Sequence, residues 1–314
     1  MLVGATASGK SEVAIEIAKR SNPLSEIISL DSMQIYKGME IGTGAVPDNR
    51  RIEVVHHMIS IINPTQEQSV KQFQSQVYKI LDRSPDINYV LVGGTGLYTH
   101  AIVDGFKFAP TDVGSRQSVI EQYNLDEHNP DPDSVARAYE ILLDLDPDAA
   151  EKIDPQNVRR IVRALEAIEI SGNKFSATGG GVQEFGIPVI DVELVGLRYS
   201  RDALRERIKN RVDDMFKNGW IDEVRVLMHS WDRMTAPARN AIGYALIAEW
   251  IMAGENEHEI EDLKEKIVNK TAQFSRRQRK WFERDPRITW IDCDSLEFDQ
   301  IVNEVENIVG KIHK

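Results

Sequence analysis

Residues 4–11 read GATASGKS, the spacing G-x-x-x-x-G-K-[ST], where a first short apolar run passes into an amphipathic pattern. In this pattern Gly4, Ala5, Thr6, Ala7, Ser8 and Gly9 turn successive backbone N–H groups toward a diphosphate, Lys10 supplies a point charge, and the Ser11 hydroxyl suits Mg²⁺. A chance glycine turn is the plain alternative. A diphosphate site does not choose a reaction: a nucleotide triphosphatase or a small-molecule kinase would close another buried strand with an acid that holds the metal. The run 89–92 ends instead in Gly93-Gly94-Thr95, and the acid appears at Asp31, after the run 27–30, within DSMQIYKGMEIGTG. A carboxylate at the C-terminal end of a parallel strand lies in the ligand crevice. An N-cap or Mg²⁺ ligand and a general base are equally good roles for Asp31. GGTGLY at 93–98 offers the Thr95 hydroxyl and a close backbone approach, or simply a turn. His56 and His57 are adjacent on an extended segment and point to opposite faces, so hydrogen-bonded, partly buried histidines are expected rather than a metal pair.

Three arginine groups ask for an anionic partner. Arg159, Arg160 and Arg163 lie off the stripe Val158, Ile161, Val162, Leu165 and Ile168, and Arg159 with Arg163 is an i, i+4 like-charge pair. Such a pair costs about 0.2–0.5 kcal/mol unless something offsets it. Arg207 and Arg211 repeat the arrangement beside Leu204, Ile208, Val212 and Met215. The third group, residues 270–287 (KTAQFSRRQRKWFERDPR), carries seven basic residues against two acidic ones, with Phe274, Trp281 and Phe282 interleaved. Solvated faces and local pairs such as Arg211 with Asp214 would explain the first two equally well. The third reads better as a phosphate-backbone patch.

The elements that must position these residues follow from periodicity. Short apolar runs at 1–3, 27–30 and 89–92 alternate with helical patterns at 12–20, 70–81 and 97–103, which predicts an α/β unit with a parallel sheet, its strands buried on both faces. Only three residues precede Gly4, so the natural chain is expected to start earlier. From about 111 to 188 the strand signal gives way to helical patterns, one of them ending at Gly172 as a left-handed C-cap. After a glycine-rich stretch at 177–186, residues 189–197 read as a strand returning to the sheet. Ser200 caps a helix to about 218, and another runs from about 260 to 284. The expected fold is a P-loop NTPase-like parallel core formed by 1–110 and 189–314, with an all-helical insertion at 111–188.

At 314 residues, with about 150 per domain as a guide, one large domain or two modest ones are expected, and either can bury a core without staples. Hydrophobic residues at 41% and charged residues at 28% exclude fibrous and mostly disordered chains. Cys293 is the only cysteine, which excludes an internal disulfide and any zinc site with two cysteines. No apolar run reaches the roughly 18 residues of a membrane span and no signal peptide is evident. The cytoplasm is the expected location, with no membrane association, and nothing in the sequence calls for more than a monomer.

GATASGKS, DSMQIYKGMEIGT, GGTGLY, NVRRIVRALE, RERIKNRVDDMFKNGWIDEVRVL, AIGY and QFSRRQRKWF occur in the order seen in tRNA dimethylallyltransferases, and the chain resembles that family, in its compact bacterial form, from its first residues to about Asp292. The resemblance implies transfer of a dimethylallyl group from dimethylallyl diphosphate to N6 of the adenosine 3′ to the anticodon, in tRNAs reading codons that begin with U. It implies Asp31 as the base, Thr6 and Arg207 beside the leaving diphosphate, Arg211 as a further diphosphate contact, and Ser11 on Mg²⁺. It also implies tRNA contacts from Ser32, Met33, Gln34 and Thr95 around the extruded base, and from Arg159, Arg160, Ile161, Val162, Arg163, Gly243, Tyr244, Arg276, Arg277 and Arg279. Ala5 stands where the family usually has proline, Ala245 and Ala272 where basic residues are common, and IGTGAVP lacks a common lysine; each bears on the strength of tRNA binding more than on the reaction. A P-loop kinase is the runner-up, and a nucleotide-gated RNA-binding module without catalysis comes third.

A net charge of −12 at first opposes a nucleic-acid partner. Its distribution does not. Residues 121–155 hold eleven acids against two bases and residues 255–265 six against one, leaving the rest of the chain at +2.

Overall fold

The computed structural model describes residues 1–21, 24–84, 87–126, 129–178 and 185–310. They divide into two units, Met1–Val103 with Pro188–Lys314, and Asp104–Ile187.

The first unit is built on a six-stranded sheet of β1 (Leu2–Gly4), β2 (Glu26–Ser29), β3 (His56–His57), β4 (Tyr89–Gly93), β5 (Val195–Arg198) and β6 (Thr289–Asp292), in the order β3-β2-β4-β1-β5-β6. Every pairing is parallel, with Leu2 opposite Val92 and Val195, and Ser29 opposite Val92. Parallel strands need crossovers, and these place helices on both faces. One face carries α1 (Lys10–Arg20), and the other carries α2 (Val70–Arg83) and α3 (Gly96–Val103). The continuous apolar runs then explain themselves. Leu2, Ile27 and Val92 pack with Val13 and Ile15 of α1, while their neighbours Val3, Ile28 and Leu91 pack with Phe73, Val77 and Ile102 of α2 and α3. Ser69 and Gln72 close a reciprocal capping box at the start of α2.

The second unit, Asp104–Ile187, is helical: α4 (Val113–Gln122), α5 (Pro132–Leu145) and α6 (Val158–Ser171). Val135, Ala138, Leu142, Ile161, Val162 and Leu165 form its core. Gly172 ends α6 at φ 65°, the left-handed geometry that favours glycine.

The chain returns to the first unit with α7 (Arg201–Lys217), α8 (Trp220–Met228), α9 (Tyr244–Met252), α10 (Ile260–Phe282) and, after β6, α11 (Phe298–Gly310). Ser200 caps α7 as its sequence predicts. Ile208, Val212, Trp220, Tyr244, Ile267 and Phe282 bury against the α2–α3 face, and Ile301, Val302 and Val305 of α11 against the α1 face.

The expected strand at 189–197 is corrected: β5 begins only at Val195. The segment before it is tied elsewhere: the Val189 N–H donates to the Val103 carbonyl (2.8 Å), while the Glu193 carbonyl accepts from the Met1 ammonium (2.7 Å). Of the glycine-rich stretch, residues 179–184 lie outside the described residues. Among the described residues no helix is long and apolar enough to cross a membrane.

Candidate active site

Three adjacent strands, β2, β4 and β1, deliver three motifs to one edge of the sheet. β2 runs out at Asp31, β4 at Gly94-Thr95, and β1 at residues 4–11. Ligands of parallel α/β sheets bind in the crevice beyond these carboxyl ends. A cavity of about 350 Å³ lies there, lined by Thr6, Lys10, Ser11, Asp31, Thr95 and Arg211 among others.

Residues 4–11 make the turn that their spacing predicts, with Lys10 opening α1. Lys10 Nζ donates to the Ala5 carbonyl (2.6 Å) and the Ser8 hydroxyl (3.4 Å). Desolvation, helped by the neighbouring Arg211, pushes the Lys10 ammonium down to about 8, against the pull of Asp31 and Glu12. Ala7 sits at φ 63°, an uncommon conformation for a residue with a side chain, and its carbonyl accepts from Arg207 Nε (2.8 Å). The Arg207 guanidinium also stacks over Tyr199, 4.6 Å from the ring centre. Arg207 therefore braces the loop backbone. Arg211, one turn further along α7, lines the cavity itself, and its Nη2 donates to the Thr43 carbonyl (3.2 Å). Desolvation lowers its pKa as well. Two cations crowded together and partly stripped of water leave room for an anion.

Asp31 Oδ1 accepts from the N–H groups of Met33 (2.8 Å) and Gln34 (3.4 Å), which holds the carboxylate at the turn after β2 while it lines the cavity. The local-cap role and the reactive role are thus compatible. The Thr95 hydroxyl lies 3.4 Å from both the N–H and the hydroxyl of Ser32, and Gln34 Nε2 donates to the Gly44 carbonyl (3.3 Å). Ser32, Met33 and Gln34 line the same cavity as Thr95. Ile208, Val212 and Met215 share a helical face with Arg211 and, with Trp220 and Ile267, give the cavity an apolar wall. One cavity therefore holds anion-binding groups, a carboxylate and a hydrocarbon surface.

The histidines behave as their spacing predicts: His56 Nδ1 lies 2.7 Å from the Val54 carbonyl, and His57 Nε2 lies 2.6 Å from Glu26 Oε2. No cluster of three or more His, Cys, Asp or Glu suited to a metal occurs among the described residues.

The basic segment forms the second half of α10. Arg276 and Arg277 are exposed, and Arg277 packs 5.9 Å over Phe274 and reaches the cavity lining. Arg279 is paired with Glu283 (2.6 Å), so its charge is partly spent locally. On α6, Arg159 and Arg160 are exposed.

Several expected contact residues have their side chains engaged within the protein. Ile161 and Val162 are fully buried core residues of their own unit, because they carry the apolar stripe of α6. Arg163 is engaged by Glu166 (3.0 Å) and by the carbonyls of Ala109 and Pro110 (2.5 and 2.6 Å), so the like-charge pair with Arg159 is relieved inside the protein. Tyr244 is fully buried; its hydroxyl donates to the Met39 carbonyl (2.8 Å) or Glu223 Oε1 (2.7 Å), and its ring packs edge-on to Trp220. Gly243 is needed because a Cβ there would lie 2.2 Å from the Trp220 ring. Glu223 also accepts from the N–H groups of Ile41 (2.7 Å) and Gly42 (3.0 Å), and burial raises its carboxyl pKa. AIGY therefore locks residues 40–44, which supply the carbonyl that holds Arg211. Trp220, Glu223 and Gln278 are missing from the sequence-derived set. Gln278 had a signal: a polar residue at helical spacing with the apolar Leu263, Ile267 and Phe282 of α10.

Residues 34–285 match the family model described as IPP transferase. A tRNA dimethylallyltransferase of Corynebacterium jeikeium is 37% identical over 99% of this chain and 96% of its own, and one of Thermobifida fusca 40% over 94% and 89%. Among solved structures, the tRNA isopentenylpyrophosphate transferase of Bacillus halodurans superposes with a TM-score of 0.68 at 31% identity, covering 99% of this chain and 94% of that one. A eukaryotic dimethylallyltransferase captured acting on tRNA superposes with a TM-score of 0.80 at 25% identity, covering 99% and 78%. These matches support the transferase expectation and not the kinase. With the family model, the fold and relatives matched over nearly the whole chain in agreement, the chain belongs to the IPP transferase family of tRNA dimethylallyltransferases.

Proposed function

We propose that the protein transfers a dimethylallyl group from dimethylallyl diphosphate to the exocyclic N6 of the adenosine 3′ to the anticodon, in tRNAs reading codons that begin with U, and releases diphosphate. The observation that carries this is the meeting in one cavity of Lys10, Arg211 and the 4–11 loop with the Asp31 carboxylate and the apolar wall of α7. The cations would hold the diphosphate and stabilise it as the allylic C–O bond breaks and the electron pair stays on the leaving oxygen. The dimethylallyl group would rest on Ile208, Val212 and Met215. The N6 lone pair forms the new C–N bond, and the proton that N6 must lose passes to Asp31. Thr6 is assigned to the diphosphate side, and Ser32, Met33, Gln34 and Thr95 to the base, which must leave the anticodon stack to react. Arg207 acts through the loop backbone it braces.

The donor set also fits a hard cation carried with the diphosphate: the Ser11 hydroxyl lines the cavity beside Lys10, as in other phosphate loops, where most ligands are phosphate oxygens and water. Mg²⁺ held there by Ser11 would neutralise charge on the leaving group.

Arg159, Arg160, Arg276 and Arg277, all exposed, are assigned to tRNA phosphates, and Arg279 to a weaker contact. The helical insertion, taken from the sequence as 111–188, is assigned a tRNA-contacting role through Arg159 and Arg160. Every residue assigned a role in the cavity comes from one chain, which supports a monomer, and a cytoplasmic location is assigned with the tRNA substrate.

The test is incubation of purified protein with radiolabelled dimethylallyl diphosphate, Mg²⁺ and an unmodified tRNA carrying adenosines beside the anticodon. Label is expected in that tRNA without ATP. An unlabelled tRNA refutes the proposal.

A further inference from the structure

β1 and β4 are paired through Leu2–Val92 and Val3–Gly93, and just beyond that pairing the side-chain amide of Gln278, from α10, bridges the two segments: Oε1 accepts the Thr6 N–H (2.8 Å) and Nε2 donates to the Gly94 carbonyl (2.7 Å). A carboxamide has the donor and acceptor of a peptide group, so Gln278 continues the ladder one step past its end with a group from another helix. The fit is close, since a Cβ on Gly94 would lie 2.5 Å from Gln278 Nε2, and one on Gly96 would lie 2.1 Å from Trp281, also of α10. Gln278 is buried yet borders the cavity, and the residue before it is the cavity-lining Arg277.

We propose that Gln278 is a positioning residue: its amide fixes the phosphate-loop Thr6 relative to the Gly94-Thr95 turn, and so sets the diphosphate against the attacking base. This rests on the transferase reading above. The bond to Thr6 also withdraws that N–H from the anion-binding set, leaving the Thr6 side chain as its contribution to the cavity. Both hydrogen bonds require one orientation of the amide. Glutamate keeps the acceptor for Thr6 but, when ionised, sets an oxygen against the Gly94 carbonyl.

The test compares wild type, Gln278→Glu, Gln278→Leu and Arg276→Ala in single-turnover transfer to an anticodon stem-loop, with melting temperature, RNA affinity and the exchange rate of the Thr6 amide measured alongside. For Gln278→Leu the transfer rate is expected to fall about 10- to 100-fold, as small misplacements at a reacting centre do, with RNA affinity within about twofold of wild type. Its Thr6 amide should exchange at least about tenfold faster, having lost its acceptor. Gln278→Glu should recover rate as pH falls, because the protonated carboxyl can donate to Gly94. Arg276→Ala should show the opposite pattern, with weaker RNA binding and a Thr6 amide that exchanges as in wild type. Unchanged rates in both Gln278 variants, a loss confined to RNA affinity, or failure of both to fold overturns the positioning role. A wild type that transfers nothing refutes the functional reading instead, and Thr6 exchange still decides whether the amide clamp exists.

Discussion

In the proposed reaction Asp31 and Lys10 act at the scale of single residues, and each can be tested alone. Asp31→Asn keeps an oxygen to accept the Met33 N–H but removes the base. Turnover should fall about 10²- to 10⁴-fold, with KM for both substrates little changed. A larger change in tRNA KM than in turnover would make Asp31 a binding residue. Lys10 titrates near 8 in the free protein, so below that pH it presents a cation to the donor and above it the charge is lost. The kcat/KM for dimethylallyl diphosphate should therefore decline as pH rises through about 8, and Lys10→Met should lack that limb. The turn at 4–11 and the place of Asp31 beyond the end of β2 were legible because spacing at a strand end restricts where a residue can sit. Gln278 and Glu223 were not, because their partners lie 184 and 181 residues away in the chain, at Gly94 and Gly42.

Helices and strands were legible by type and less so in extent. The α7 cap, the Gly172 stop and the buried parallel strands all follow from local patterns, whereas the start of β5 at Val195 depends on pairing with distant parts of the chain, which local patterns do not show. AIGY illustrates the same limit: its motif character is plain in the sequence, but its role is to lock residues 40–44 from inside the core. Tyr244→Phe should leave tRNA affinity unchanged while costing about 1–3 kcal/mol in urea unfolding, since Glu223 and the Met39 carbonyl lose a buried donor. A selective loss of tRNA binding would restore Tyr244 to the interface. Gly96→Ala forces a methyl into Trp281 and should cost about 1–3 kcal/mol, relieved in part by Trp281→Leu; additive losses in the double variant would contradict the contact.

Charge acts across the whole molecule, and here the total misleads. The net −12 resides in two acidic stretches, while residues 270–287 present exposed Arg276 and Arg277. Affinity for tRNA should fall steeply with salt, and Arg276→Ala should reduce the slope of log K against log salt by about 0.7–0.9, the share of one phosphate contact. An unchanged slope would remove Arg276 from the interface. The central claim joins this surface to the cavity: an extruded adenosine receives the dimethylallyl group on N6 while Asp31 takes its proton. The most direct measurement is nucleoside analysis of tRNA reacted with wild type and with Asp31→Asn under single-turnover conditions. The account predicts N6-dimethylallyladenosine solely at the position 3′ to the anticodon, formed at least about 10²-fold more slowly by the variant. Modification at another atom or position, or equal rates for the two proteins, would contradict it.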